Sequence, residues 1–498
     1  MMKTERIAAI DILRCIAIIG MVLSANIGFY SDLPAWMFHA QTPPPDYTFD
    51  PTSVGLTWVD LVFPFFLFPM GAAFPLAMRK RVERGESTAS MVFSLFRRWV
   101  VLILFALVLG NAYSVAASQA PQWQHSLFKV FIWASLFLAL LHPGKPSTSA
   151  KSTGLSKLSN ESRTYILNGT GLCLLLAGLA IQYFIFGIPL STSNDIIITI
   201  LANVAFFGGL IWLLTKDNLR LRWLIFLFVA AIKACDSYIP EFSAAIDAIP
   251  ECGWLFSIDY LQYLLIAIPG SVVGDKILSY IKVSRREDDG HSCSITGSLS
   301  NSSNGVSDAI STVNNSVNPI VTSCVALAAV VLQLWGLYTR NVAADFGISF
   351  ALASAFVMLT FRNRSLWSDV AVIGFALMLA GIVFDPIDGG ITKDYCNLSY
   401  LLTTGGMAMI VTSSLLCWEM VAGVKSRFLS SVGQNPMVAY TIAYFLIGPI
   451  LTLTSLMPLM DSLSAGSPFW GLFKGLIITL LMMVGTALCT RLKLFWRS

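Results

Sequence analysis

Apolar runs of about 20 residues, long enough to cross a bilayer as helices, recur along this chain from one end to the other. They fall at 7–29, 57–78, 98–117, 125–142, 164–187, 194–215, 219–239, 256–281, 319–338, 343–361, 367–385, 398–422, 429–456 and 469–490. In lipid every backbone N–H and C=O must be satisfied within the protein, so only helices and closed barrels can span. The runs are continuous rather than alternating, which argues against a barrel. The composition agrees: 12% of residues are charged, against about 25% in soluble domains. These features predict an all-α, polytopic transmembrane bundle of about 14 helices (12–14). Pro449 is expected to kink or end the long run at 429–456.

Lys and Arg set the orientation. Arg79 to Arg81, the loop at 143–163, Lys216 to Arg222, Lys276 to Arg286, Arg362 to Arg364, Lys425 to Arg427 and Arg491 to Arg497 fall on one side. That side is expected to be cytoplasmic and to hold both termini. The opposite loops carry Asp32, Asp46, Asp50, Glu241, Asp247 and Glu251. Arg340 and Lys393 break the trend. Lys3 and Arg6 before the first run imitate a signal peptide, but Asp11 and Arg14 interrupt it, so the segment reads as a retained helix. Residues 285–317 are rich in Ser, Asn and Gly and read as a low-complexity cytoplasmic linker. They divide the chain into helices of 1–284, with an outer loop at 30–56, and helices of 318–498. The net charge of +4 reflects the loop cations and gives no case for nucleic-acid binding.

Nine cysteines lack metal-ligand spacing, and no metal site is expected. Most read as small buried hydrophobes. Cys252 and Cys396 share the expected outer side, which leaves a disulfide open, since sequence supplies no geometry. His125, His142 and His291 are isolated.

Several polar residues could carry chemistry. Asp11 and Arg14 lie three apart on one helix face; charges within a membrane mark either function or a structural ion pair. Asn26 closes the first run, as a helix–helix hydrogen-bonding group or a reactive one. His39 stands in the next loop, where an imidazole suits proton abstraction. Asp60 opens the second run; it could serve the helix dipole or orient His39 and steady its imidazolium. Lys393 could pair with an acid or a substrate. Gly433 and Asn435 could form a turn and a helix cap.

Together, the stretch from Arg6 through Asp11 and Arg14 to Asn26, then His39-Ala40, then Gly55 through Asp60 to Pro64, resembles the transmembrane acyltransferase family that includes lysosomal heparan-α-glucosaminide N-acetyltransferase and its bacterial relatives. Arg97-Arg98, Lys393 through Tyr400, Gly433 through Tyr440 and the closing Leu492 through Trp496 extend the resemblance. It implies an enzyme that moves an acetyl group from cytosolic acetyl-CoA to an amine, such as that of glucosamine or a glycan, at the outer face. It implies His39 and Asn26 as catalytic residues with Asp60 as supporting acid, and a homodimer in membrane lipid. His39 would act as base or transient acetyl carrier, and Asn26 would donate to the oxyanion. Asp11, Arg14, Lys393 and Asn435 are then candidates for substrate binding, and Arg97, Arg98 and Lys129 for the CoA phosphates. The segment Gln41 to Ser53 is inserted relative to that family and is expected to reshape the acceptor side. A bacterial inner membrane is the expected location. A sugar or metabolite transporter is the alternative, although no internal repeat is visible.

Overall fold

A computed structural model describes residues 7–27, 33–43, 45–143, 160–292, 318–362 and 364–496. The chain is a polytopic helical membrane protein, a multi-pass bundle. Among the described residues, twelve helices are long and apolar enough to cross a membrane, or thirteen when the bent pair Leu219–Tyr238 and Pro240–Asp247 counts as one span. The helix Gln122–Ala139 is 18 residues long. Gln122, Gln124, His125 and Lys129 make its first two turns polar, so it fails on apolarity rather than on length.

The chain runs through α1 (Ala9–Ile27), a 3-10 turn at Trp58–Leu61, α2 (Val62–Glu83), α3 (Thr88–Ala116) and α4 (Gln122–Ala139). It continues through α5 (Asn160–Phe184), α6 (Ile196–Thr215), α7 (Leu219–Tyr238), α8 (Pro240–Asp247) and α9 (Leu264–Ser292). Then follow α10 (Pro319–Thr339), α11 (Val342–Thr360), α12 (Leu366–Phe384) and α13 (Leu398–Val421). The last stretch holds α14 (Arg427–Gly433), α15 (Pro436–Ile442), a π turn at Ala443–Ile447, α16 (Gly448–Leu453), α17 (Leu456–Gly466) and α18 (Pro468–Arg491). Pro449 does not end its helix: Pro436–Leu453 is one continuous span with a π turn just before the proline, and the 429–456 run breaks instead at Gln434 and Asn435. Of the expected linker, 285–292 continues α9 and 293–317 lies outside the described residues.

α13 is the central helix. It is buried along nearly all its length and packs on α12 through Gly374 and Gly406, where a methyl group on Gly406 would meet backbone atoms at 2.4–2.5 Å. Small residues permit this approach where lipid provides no hydrophobic drive between helices.

The start and the end of the described chain meet at one pole. Glu419 accepts from the backbone N–H groups of Ala8 and Ala9 at 2.9 and 2.8 Å. Strands β1 (Leu141–Pro143) and β2 (Leu494–Trp496) pair antiparallel, with His142 opposite Phe495. Lys216, Lys282 and Lys425 stand at this same end, which is the basic pole expected from the loop charges. His39 and Lys393 stand at the opposite pole.

Candidate active site

The second run begins with Thr57, whose extended backbone and following 3-10 turn aim Asp60 back toward the loop before it. Asp60 has no solvent exposure. Its Oδ2 accepts from the N–H of Thr57 at 2.9 Å and from the N–H of Ala40 at 3.3 Å. Its Oδ1 lies 2.6 Å from Nδ1 of His39. Tyr400, buried on α13, donates its hydroxyl to the Asp60 backbone carbonyl at 2.9 Å, and Thr57 Oγ1 donates to Phe38 O at 2.7 Å. The 3-10 turn, the preceding loop and the central helix are thereby fixed together around one carboxylate.

Lys393 completes the centre from the far end of the sequence. Its Nζ lies 3.1 Å from His39 Nδ1 and 3.9 Å from Asp60 Oδ1. The loop that carries it is built by Asp385, which forms a bidentate pair with Arg340 at 2.9 and 3.0 Å and accepts from the N–H of Ile391 at 2.7 Å. Gly55 donates its N–H to Ile391 O at 2.9 Å. Gly390 has φ +115°, and a methyl group there would sit 2.6 Å from Val54 Cγ1, so only glycine fits. Asn397 caps α13, accepting from the N–H of Tyr400 at 3.2 Å and donating to Gly390 O at 2.8 Å. The two outer cations that break the charge trend therefore have one explanation. Arg340 shapes the loop and Lys393 is what the loop presents.

His39 is partly exposed and lines a cavity of about 400 Å³ with Ala35, Thr42, Ser53, Gly55 and Tyr338. Nδ1 faces Asp60, so Nε2 is the nitrogen left for a substrate. The inserted segment forms one wall. Asp50 ties it down through the hydroxyls of Thr52 at 2.6 Å and Ser53 at 3.0 Å. The Thr52 hydroxyl, with further hydrogen bonds from the Thr52 N–H and Ser53, holds the Asp50 carboxyl below its ordinary range. Chemically, a histidine oriented by a buried carboxylate and flanked by an ammonium can accept a proton from a nucleophile and steady developing negative charge.

The remaining expected site residues lie elsewhere. Asn26 donates its amide to Val22 O of its own helix at 2.7 Å. It lines a second cavity, of about 550 Å³, with His125, Lys129, Tyr440 and Tyr444. Gly20 faces Trp58 and Val62 of the Asp60 turn. At about 100° per residue, Met21, Val22, Ala25 and Asn26 point to the other side of α1. His39 and Asn26 are therefore separated by α1 rather than brought together.

Asp11, Arg14 and Asn435 belong to the basic pole, across the bundle from His39. Arg14 donates to Gly433 O at 2.9 Å, Pro69 O at 3.3 Å and Asp11 Oδ1 at 3.3 Å, which locks α1 to α14 and α2. Asn435 makes no side-chain cap. It donates to Leu494 O at 2.8 Å and accepts from the N–H of Trp496 at 3.3 Å, holding β2 in place.

Arg97, Arg98 and Lys129 do not converge. α3 begins at Thr88, so Arg97 and Arg98 stand inside it rather than before it, exposed beside Phe96 and Trp99. α4 begins at the His39 pole, which sets Lys129 near Asn26 and away from the basic pole. Cys252 and Cys396 are both free, the first exposed and the second buried.

Sequence reasoning passed over a third cavity, of about 610 Å³, at the basic pole. Arg79, Lys216, Arg222, Lys276 and Lys282 line it, together with Asp217, Asp275 and Asp369. Arg222 is buried and donates to Asp275 Oδ2 at 2.6 Å. The five cations come from four separate segments, Lys276 and Lys282 both from α9, so the sequence signal was the general excess of basic residues.

No protein of curated function matches the chain. One family model covers Asn26, His39 and Asp60 but stops before Lys393. By that match, over residues 6–277 and thus more than half its length, the chain belongs to the family described as a domain of unknown function, DUF5009.

Proposed function

We propose that this protein is a membrane-embedded acyltransferase that moves an acetyl group from acetyl-CoA to an amine, an amino sugar such as glucosamine, at the His39 pole. The observation that carries the reading is the 2.6 Å approach of His39 Nδ1 to the buried Asp60 carboxylate, on the wall of an accessible cavity. His39 Nε2 takes the proton as the amine attacks, Asp60 steadies the imidazolium, and the proton returns to the departing thiolate. Lys393 offsets the negative charge that develops beside the ring. Asn26 has no part in this scheme.

Acetyl-CoA supplies the activated acyl group. The third cavity sets five cations against three carboxylates, a net positive lining that suits its phosphates in charge, and a planar guanidinium such as Arg79 suits them in geometry. Nineteen residues of helical rise separate Asp60 from Arg79, about 28 Å. That is the depth the acyl group has to cross, consistent with a donor on the cytoplasmic side of a bacterial inner membrane and an acceptor outside.

The test is amine-dependent release of CoA thiol from acetyl-CoA by the purified protein, with glucosamine as the first acceptor. Release that requires the amine supports the reading; a folded protein that releases none across an amine panel overturns it. One observation favours transport as a second reading: the continuous span 436–453 carries a π turn followed by Pro449, a local irregularity of the kind found at functional sites within helices. CoA-independent sugar uptake into proteoliposomes would mark that class.

A further inference from the structure

The cavity on the other side of α1 is used by neither His39 nor the basic pole. Its walls come from α1, α3, α4, the start of α6, the helix 436–453 and the start of α17. Met21, Ile197, Pro449 and Met457 supply an apolar lining, while Gln122 and Ala25 are exposed at its edge. The π turn at Ala443–Ile447 inserts an extra residue per turn; such turns concentrate at functional sites. Tyr440 and Tyr444, on either side of its start, both face the cavity.

The charges here are arranged in one sense. Asp195 is the nearest acid, and its oxygens are taken. Oδ2 accepts from Tyr440 at 2.8 Å and Tyr113 at 3.2 Å, and Oδ1 accepts from the N–H of Ile198 at 3.1 Å. Lys129 stands 3.9 Å over the Tyr444 ring, a cation–π contact. Among the described residues no carboxylate lies within ion-pair distance of it. His125, one turn earlier on the same face, is held by Ser118 Oγ at 2.9 Å. A lysine held over a ring, inside an apolar chamber whose acid is already occupied, is a receptor for a negative charge.

We propose that this cavity is a second ligand site, which binds an oxyanion head on Lys129 and an apolar body against Met21, Pro449 and Met457. A soluble fatty carboxylate and a lipid phosphate share that chemistry. The site is independent of acyl transfer, because α1 separates it from His39.

The experiment uses the full chain in phosphatidylcholine nanodiscs. Its thermal midpoint is followed against sodium decanoate, decyl phosphate and the neutral decyl maltoside. A saturable rise is expected with both anions and not with the maltoside. Lys129→Met should weaken the anions about tenfold, the loss of one charge-assisted contact. Lys129→Arg should restore binding, which separates loss of charge from loss of fold. His39→Ala should bind as the parent does, so failure of the acyltransferase reading leaves this result standing. Nanodiscs containing phosphatidylglycerol identify the source. If the lipid alone raises the midpoint through Lys129 and abolishes the decanoate effect, the occupant is a lipid head; if the decanoate effect persists, it is a soluble anion. Equal stabilisation by the maltoside, or binding to Lys129→Met as tight as to the parent, overturns the proposal.

Discussion

Asp60 Oδ1 and Oδ2 between them reach His39, Lys393, Ala40 and Thr57, from a residue with no contact with water. Asp60→Asn keeps the shape and removes the charge. It should lower stability by about 2–3 kcal/mol, less than a fully buried pair would lose because His39 and Lys393 reach solvent. A denaturant midpoint measured in detergent checks this. Lys393→Met should cost less stability than Asp60→Asn, since Lys393 keeps about a quarter of its exposure, yet should reduce acetyl transfer more than binding of the amine. A split of kcat from KM reads that difference. At this scale the sequence was informative about His39, Asp60 and Lys393, because a histidine and a lysine on an otherwise acidic outer side are conspicuous. It did not show that Asn26, Asn435 and Lys129 stand apart from His39. Spacing says that Asn26 ends a helix but not which side of the helix faces which cavity. The register of β2 against Asn435 depends on a strand no apolar pattern announces.

The loop at 385–397 is the element that places Lys393, and its glycines separate two kinds of constraint. Gly389 has φ +75° with open space around it, whereas Gly390 has φ +115° and Val54 against it. Gly389→Ala should cost about 1 kcal/mol of left-handed backbone strain and leave acetyl transfer intact. Gly390→Ala should cost more, about 3 kcal/mol, and should impair transfer by shifting Lys393. Thermal midpoints and initial rates of the two variants test the pair. At the basic pole, Gly433→Ala would bring a methyl group within 1.8 Å of Asp11 O, so α1 and α14 should separate and folded yield should fall. Gly169→Ala, with nothing nearby, is the neutral comparison, read by size-exclusion profile. Helices were legible as elements because each has to be apolar over its whole length. Their ends shifted by several residues where a 3-10 turn precedes α2, at Trp58–Leu61, and α9, at Ile258–Tyr263, since such turns are largely apolar too. Arg97 and Arg98 fall inside α3 for a different reason: the mixed polar and apolar segment 88–97 also winds into the helix, from an N-cap at Ser87.

Across the whole molecule, the first and last described segments meet at the basic pole and the candidate catalytic centre stands at the other. Cys252 is exposed at the His39 pole and Cys396 is buried there. A membrane-impermeant maleimide applied from outside should therefore label Cys252 and spare Cys396, and reduction should change neither. The bundle and its polarity could be read from apolar runs and loop charges, since lipid imposes both. The basic cavity could not, because its cations converge only after four separate segments pack. The most direct test compares the parent protein with His39→Gln under saturating acetyl-CoA and glucosamine, with binding of each ligand measured separately. The account predicts that both ligands still bind and that acetyl transfer falls by about 10²–10⁴-fold. Transfer at the parent rate by a folded His39→Gln protein would contradict it.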